Sequence, residues 1–359
     1  MKILSPIVNN FRRIAEIESP SGHEKKIAKY LMKQLKEVTD FSTSDKYGNI
    51  YAFVKGIGEP IFLAAHMDTV EPTKGIKTQV KDGFVLTQSK TVLGADNKVA
   101  IACIIELLKH YKMSKTAHRP IEVIFTRSEE VGNYGAINFD YKLLKSKIGY
   151  CFDVAQPVGT IILGSPYYER FDIRLIGKEA HAGKPEEAIN VLLVFRKMLN
   201  LISLGKIDTN TVANIGVVRG GHVRNTVPGE LILQGEVRSF IEEGLKRYKF
   251  KLLKALKKST NNYKATYKIE LVRENPGYKH TNTKVKKVIQ RLRNTMKEVG
   301  VKPVEKFAWG VSDANIFNDK KLICVNSGYG AEFTHTIKER IKISYMENLL
   351  ALMIQLVKS

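Results

Sequence analysis

Two histidines and a group of carboxylates stand in five short segments of this chain. They are His66-Met67-Asp68, Gly94-Ala95-Asp96-Asn97-Lys98, Glu129-Glu130-Val131-Gly132, Asp153 and Phe333-Thr334-His335-Thr336. Imidazole nitrogens and carboxylate oxygens suit Zn²⁺, and one carboxylate can bridge a pair of ions. The set is what two adjacent divalent metals require, and it implies a metallohydrolase.

Local context sharpens each segment. His66 closes the apolar run Phe62-Leu63-Ala64-Ala65, so its ring projects from the carboxyl end of a sheet strand, where clefts in open α/β sheets form. A lone histidine there would more simply bond backbone. Asp68, two residues on, is placed to hydrogen-bond the second ring nitrogen and fix its tautomer. Asp96 precedes a helix, a position that suits both N-capping and bridging two metals. Glu129 and Glu130 follow the strand Val123-Ile124-Phe125-Thr126. Adjacent glutamates are common on surfaces, but at the end of a buried strand one can bind metal while the other takes a proton from water. Asp153 ends another buried strand, where an unpaired carboxylate is expensive. His335 has the least distinctive surroundings.

The elements that must hold these groups read as an α/β layer. Strands at 50–54, 61–65, 121–126 and 148–152 alternate with a buried helix at 99–108, which implies a mostly parallel mixed sheet flanked by helices. Helical spacing over 4–35 breaks at Ser19-Pro20-Ser21-Gly22, and a hairpin is expected around Lys81-Asp82-Gly83. After Gly159 the pattern changes: strand 168–176, helix 186–204, strands 211–218 and 230–240, helix 242–258, strand 263–272. This β-α-β-β-α-β order is that of a ferredoxin-like sandwich. The chain then returns near Asn275-Pro276-Gly277, with helix 283–299, the 316–327 region and a last helix at 344–357. A discontinuous metal-binding domain over 1–163 and 278–359, with 164–277 inserted as an α+β domain, is the expected organisation.

Composition bounds the alternatives. A chain of 359 residues suits two domains. No apolar run approaches the roughly 18 residues of a membrane span. The first residues show no signal-peptide pattern. Three cysteines in apolar segments point to reduced, buried thiols in a cytoplasmic compartment. The net charge is +22, but the lysines are spread over helix faces at 246–258 and 284–297. Without a recognition motif or basic tail, that charge reads as a solvated surface rather than a nucleic-acid site.

These segments, together with Gly177-Lys178-Glu179-Ala180-His181-Ala182-Gly183 and Ser312-Asp313-Ala314-Asn315, follow the order of a known group. Over essentially its whole length the chain resembles the zinc exopeptidase superfamily that includes carboxypeptidase G, aminoacylase and tripeptidase, and most of all its peptidase T-like branch. The resemblance implies a zinc-exopeptidase catalytic domain with an inserted lid and dimerisation domain, and two Zn²⁺ per chain with Co²⁺ or Mn²⁺ as substitutes. It implies that His66 and Asp153 bind one zinc, Glu130 and His335 the other, and that Asp96 bridges them. Glu129 would be the general base and Asp68 the orienting carboxylate. His181 would reach an active site, often the partner subunit's, and stabilise the oxyanion. Asn225 and Arg238 would hold the substrate's backbone or carboxylate, a task a guanidinium fork suits; Arg238 also reads as a strand residue paired with a neighbouring acid.

The implied activity is amide hydrolysis in small peptides, by an aminopeptidase or tripeptidase acting as a homodimer. An N-acyl-amino-acid deacylase or a carboxypeptidase on the same scaffold is the alternative. A basic binding protein that has lost catalysis is a third reading, against which the complete ligand set argues. Two departures bear on substrate range: Asn97 stands where the family often has aspartate, and Val311 where it often has glycine.

Overall fold

Continuous apolar strands carry the donor residues. Ile61–His66 and Ile121–Thr126 are buried along their whole length, the pattern of strands covered on both faces. They pair in parallel, and Ile148–Val154 and Ile323–Gly328 extend the parallel run. Antiparallel strands flank it: Ile50–Val54 and Phe41–Ser44 on one side, Thr160–Ser165 on the other. A smaller sheet includes the hairpin Thr78–Lys81 and Phe84–Thr87. This computed structural model describes residues 5–358, so Leu4, where the first helical stretch is expected to start, lies outside them.

Helix Ala95–Ser114 is buried on almost every side from Val99 to Leu108, as a helix apolar all round must be. With helices Pro6–Ala15, Lys25–Val38 and Ile343–Leu356 it builds the main core against the sheet. Each fully buried leucine or isoleucine there contributes about 1.5–3 kcal/mol relative to exposure. This unit comprises the chain up to Leu163, His280–Phe307, and everything from Ser312 onward.

The second unit is Gly164–Lys279 with Ala308–Val311. Its main strands, Thr211–Gly220, Glu230–Ser239, Tyr167–Ile176 and Thr266–Asn275, lie in that order and are all antiparallel. Helices Val191–Leu199 and Glu242–Tyr263 cover one face through Val194, Leu252 and Leu256, against Phe171, Ile173 and Leu233. The short 308–311 segment belongs here because the Trp309 ring packs on Phe240 and the Gly310 carbonyl accepts from Ser165.

The buried helix expected at 99–108 is the middle of the longer Ala95–Ser114, and other helix ends also differ from expectation. The helix expected over 186–204 spans only Val191–Leu199: it starts late because Pro185–Glu187 forms a 3-10 turn and Asn190 caps by accepting from the Leu192 N–H, and it ends early at the cap Asn200. The next helix runs on to Tyr263, where Lys264 in the left-handed conformation ends it. Among the described residues no helix is long and apolar enough to cross a membrane.

Candidate metal centre

The five expected donors, His66, Asp96, Glu130, Asp153 and His335, and the expected base Glu129 meet at the carboxyl ends of the parallel strands of the larger unit. His66 turns Nδ1 toward the Asp68 carbonyl oxygen at 2.9 Å, which leaves Nε2 facing Asp96 Oδ1 at 3.3 Å and Asp153 Oδ1 at 3.4 Å. His335 Nε2 lies 3.4 Å from Asp96 Oδ2 and 3.1 Å from Glu130 Oε1. Asp96 therefore offers one oxygen to each histidine. A ring nitrogen between two carboxylates is stable only with a proton or another cation among them.

The donors group as His66, Asp96 and Asp153, as Asp96, Glu130 and His335, and as His66, Glu129 and Glu130, each set within 4.8 Å. Zn²⁺ with bonds of about 2.0–2.1 Å in tetrahedral geometry needs ligand atoms roughly 3.3 Å apart. The donor separations of 3.1–3.4 Å match that need, and the first two sets share Asp96.

The electrostatics express crowding of like charge. Burial, with Asp153 close by, raises the pKa of Glu129 well above the ordinary carboxylate range. Burial likewise raises Glu130 and Asp153. Burial works in the same direction on Asp96, yet hydrogen bonds from His335 and His66 hold it below its usual value. His335 is pushed up to about 10 by Asp96 first and Glu130 second.

Several supporting groups carry no signal in the sequence. The carboxylate of Asp68 is only 3.5 Å from the His66 ring; its close partners are the backbone N–H groups of Glu129 (2.9 Å) and Glu130 (3.2 Å) and the Ser21 hydroxyl (2.7 Å). The expected orienting bond to His66 is thus made chiefly by the Asp68 carbonyl, while the carboxylate fixes the two glutamates. Ser21 belongs to the segment that reads as a helix break. Buried Glu24 accepts from the Ser128 N–H at 3.0 Å and pairs with Arg127 at 2.7 Å, bracing the same loop. Glu339 accepts from the N–H groups of Leu93, Gly94 and Asp96 at 2.9, 2.8 and 3.1 Å, so it holds the turn that presents Asp96.

Asn97 Nδ2 donates to the Phe152 carbonyl at 2.8 Å and to Asp153 Oδ1 at 2.7 Å. It therefore bears on Asp153 directly. The Asp96 side chain makes no cap bond; its own backbone and that of Asn97 depart from helical angles, and the peptide between them is cis.

His181, Asn225 and Arg238 belong to the smaller unit. His181 is exposed and pairs in register with Thr226, while the Ala182 N–H donates to the Asn225 carbonyl at 2.8 Å, so His181 and Asn225 lie on one short ladder. Arg238 is already engaged: it pairs with Glu236 at 2.9 Å, donates to the Trp309 carbonyl at 2.9 Å, and stacks on the Tyr168 ring at 4.5 Å. The neighbouring acid of the plainer reading is Glu236.

Histidine and carboxylate donors gathered at the carboxyl ends of a parallel α/β sheet define the class, a metallohydrolase. The chain belongs to peptidase family M20/M25/M40, whose model matches residues 62–359, and it is a peptidase. It is 30% identical over 348 residues to the uncharacterized protein YqjE of Bacillus subtilis (strain 168), covering 94% of this chain and 93% of that one. It superposes on the aminopeptidase PepT from Bacillus cereus ATCC 10987 with a TM-score of 0.92 at 28% identity, and on a tripeptidase from Staphylococcus aureus subsp. aureus Mu50 with 0.94 at 28%. Each match covers 98% of this chain and 97% of the other. The likeness to the peptidase T branch read from the motifs holds.

Proposed function

We propose that this chain is a zinc-dependent exopeptidase of small peptides, an aminopeptidase or tripeptidase. His66, Asp96 and Asp153 would hold one Zn²⁺, and Asp96, Glu130 and His335 a second. The observation that carries the reading is Asp96, whose two oxygens lie 3.3 and 3.4 Å from the two histidines. Bound zinc supplies Lewis acidity, which lowers the pKa of water and polarises the scissile carbonyl.

The chain's own groups do the rest. Glu129 takes the proton of the attacking water and returns it to the leaving amine. The Asp68 carboxylate holds the Glu129 and Glu130 backbone in place, and its carbonyl keeps the His66 lone pair on Nε2. From the smaller unit, His181 would stabilise the oxyanion, supplied in trans by a homodimer, and Asn225 and Arg238 would hold the substrate's backbone or carboxylate. Exposed Leu192, Leu193 and Val218 in that unit support the dimer. The three free, buried thiols Cys103, Cys151 and Cys324 support a cytoplasmic setting.

Glu129→Gln should lower kcat by about 10²–10⁴-fold with zinc content unchanged by elemental analysis. Activity within tenfold of wild type would remove Glu129 as the base. Free di- and tripeptides, N-acyl amino acids and C-terminally blocked peptides, assayed in parallel, test the substrate class. Turnover of acetylated amino acids without turnover of free tripeptides would move the reading to a deacylase.

A further inference from the structure

Glu129 is tied to a buried side-chain relay that contributes no donor to the metal groups. Asn133 Nδ2 donates to Glu129 Oε1 at 2.8 Å and to Asp313 Oδ1 at 3.0 Å. The second oxygen of Asp313 accepts from the Thr126 hydroxyl. Asn133, Asp313 and Thr126 are 1%, 3% and 0% exposed. Thr126 ends a central strand, Asn133 closes the turn after Glu129, and Asp313 opens helix Asp313–Asp319. Three separate elements thus form a chain that reaches the Glu129 carboxylate through Asn133.

Position 133 makes two demands at once. Its φ is 55°, a left-handed conformation that glycine, asparagine and aspartate accept most readily, and its N–H closes the turn on the Glu129 carbonyl at 2.8 Å. Its side chain must also donate twice, because it faces two carboxylate oxygens. Only an amide nitrogen supplies two hydrogens from so short a side chain; aspartate would meet the backbone demand and bring a third acceptor. Asp313, anchored by Thr126, decides which end of the amide faces Glu129. The terminal torsion of a glutamate is broad and roughly two-fold, so an untethered Glu129 carboxylate would swing.

We infer that Asn133, aimed by Asp313, is a positioning residue that holds the Glu129 carboxylate in the orientation needed to take the proton of the attacking water. The inference rests on Glu129 being the base. One oxygen is tied to Asn133 and the other is left to face the water. Loss of such alignment slows the proton transfer without weakening substrate binding, so it falls on kcat and spares KM.

The test uses the full chain loaded with Zn²⁺ and a free tripeptide as substrate. Asn133→Gly keeps the left-handed backbone and removes the amide, and Asn133→Asp keeps the shape and removes both donors. Each should lower kcat about ten- to a hundredfold with KM within about twofold and zinc per chain unchanged. Asp313→Asn approaches the relay from its far end and should lower kcat about three- to tenfold on the same pattern, which keeps the test open if a position-133 variant fails to fold. A kcat for Asn133→Gly within twofold of wild type would overturn the inference, as would a loss in which KM rises and zinc is shed in step. Glu129→Gln is run alongside. If it is inactive while Asn133→Gly is fully active, this inference alone fails; if it is active, the base assignment fails first.

Discussion

Polar side chains at the carboxyl edge of the larger unit's sheet and those across the sheet of the smaller unit are tied down in opposite ways. In the larger unit, buried carboxylates hold backbone: Asp68 accepts from two N–H groups, Glu339 from three, and Glu24 from the Ser128 N–H. In the smaller unit, partly or fully exposed charges hold one another: Arg170 pairs with Asp172, Glu270 and Glu274, and Arg174 with Glu230. Hydrogen bonds to charged groups contribute about 1.5–3 kcal/mol, whereas exposed ion pairs contribute about 0–1 kcal/mol. The larger unit is built to keep like charges at fixed separations. The smaller unit's surface can exchange partners at little cost, as the ligand contacts proposed for His181, Asn225 and Arg238 would require.

Removal of metal should separate the two units most strongly. Chelation should abolish activity and lower the melting temperature of the larger unit by several degrees, leaving the smaller unit's transition in place by calorimetry. The metal-free loss should also depend on pH. His335 has a folded pKa of about 10 against an ordinary 6.5. The stability it lends is complete below about pH 6.5 and is lost as pH rises toward 10. Glu129, Glu130 and Asp153, also raised, act in the same direction from a lower starting pH. A metal-free melting temperature that climbs between pH 6.5 and 9 would break this account.

Glu339→Gln should come next in size. It replaces a carboxylate that accepts from three backbone N–H groups and whose pKa burial raises to about 7; above that pH, where the group is charged, the change should cost about 1.5–3 kcal/mol, with zinc affinity down about 10–100-fold. Thermal melts and zinc titration would read both, and an unchanged zinc affinity would show that the Asp96 turn holds itself. Arg238→Ala should have the smallest effect. Its loss of stability should stay within about 1 kcal/mol, and KM should rise by no more than about tenfold, the worth of one charged contact, with kcat kept. A fall in kcat alone would remove Arg238 from carboxylate recognition.

What the sequence revealed follows from what periodicity reports. Apolar runs declare where a strand ends, so His66, Glu129, Glu130 and Asp153 could be placed at one edge of a sheet from their neighbours alone. Asp96 was open between cap and bridge, because both readings fit the same turn. His335 had only its resemblance to a motif, since its φ of 62° and its distance to Asp96 have no counterpart in local pattern. Ser21, Glu24, Asn133 and Glu339 were not legible as site residues. Their partners are backbone groups or side chains elsewhere in the fold, up to 246 positions away for Glu339, and spacing along a strand or helix says which way a residue faces but not what it meets. The start of helix Val191–Leu199 was misplaced for a local reason: Pro185 and Asn190 set it, and apolar spacing alone ran past them.

The clamp of Glu339 on the 93–96 turn has a bearing on synthesis. The chain leaves the ribosome from its amino end, so His66, Asp96, Glu129, Glu130 and Asp153 are all made long before the residues that complete their surroundings. His335 and Glu339 lie four positions apart, well after the other donors in sequence, and arrive together. One brings a nitrogen to the shared carboxylate and the other secures its turn. An unfinished or truncated polypeptide therefore holds most of the donors without the pair that sets their spacing. The stretch that carries His335 and Glu339 therefore completes the donor cluster.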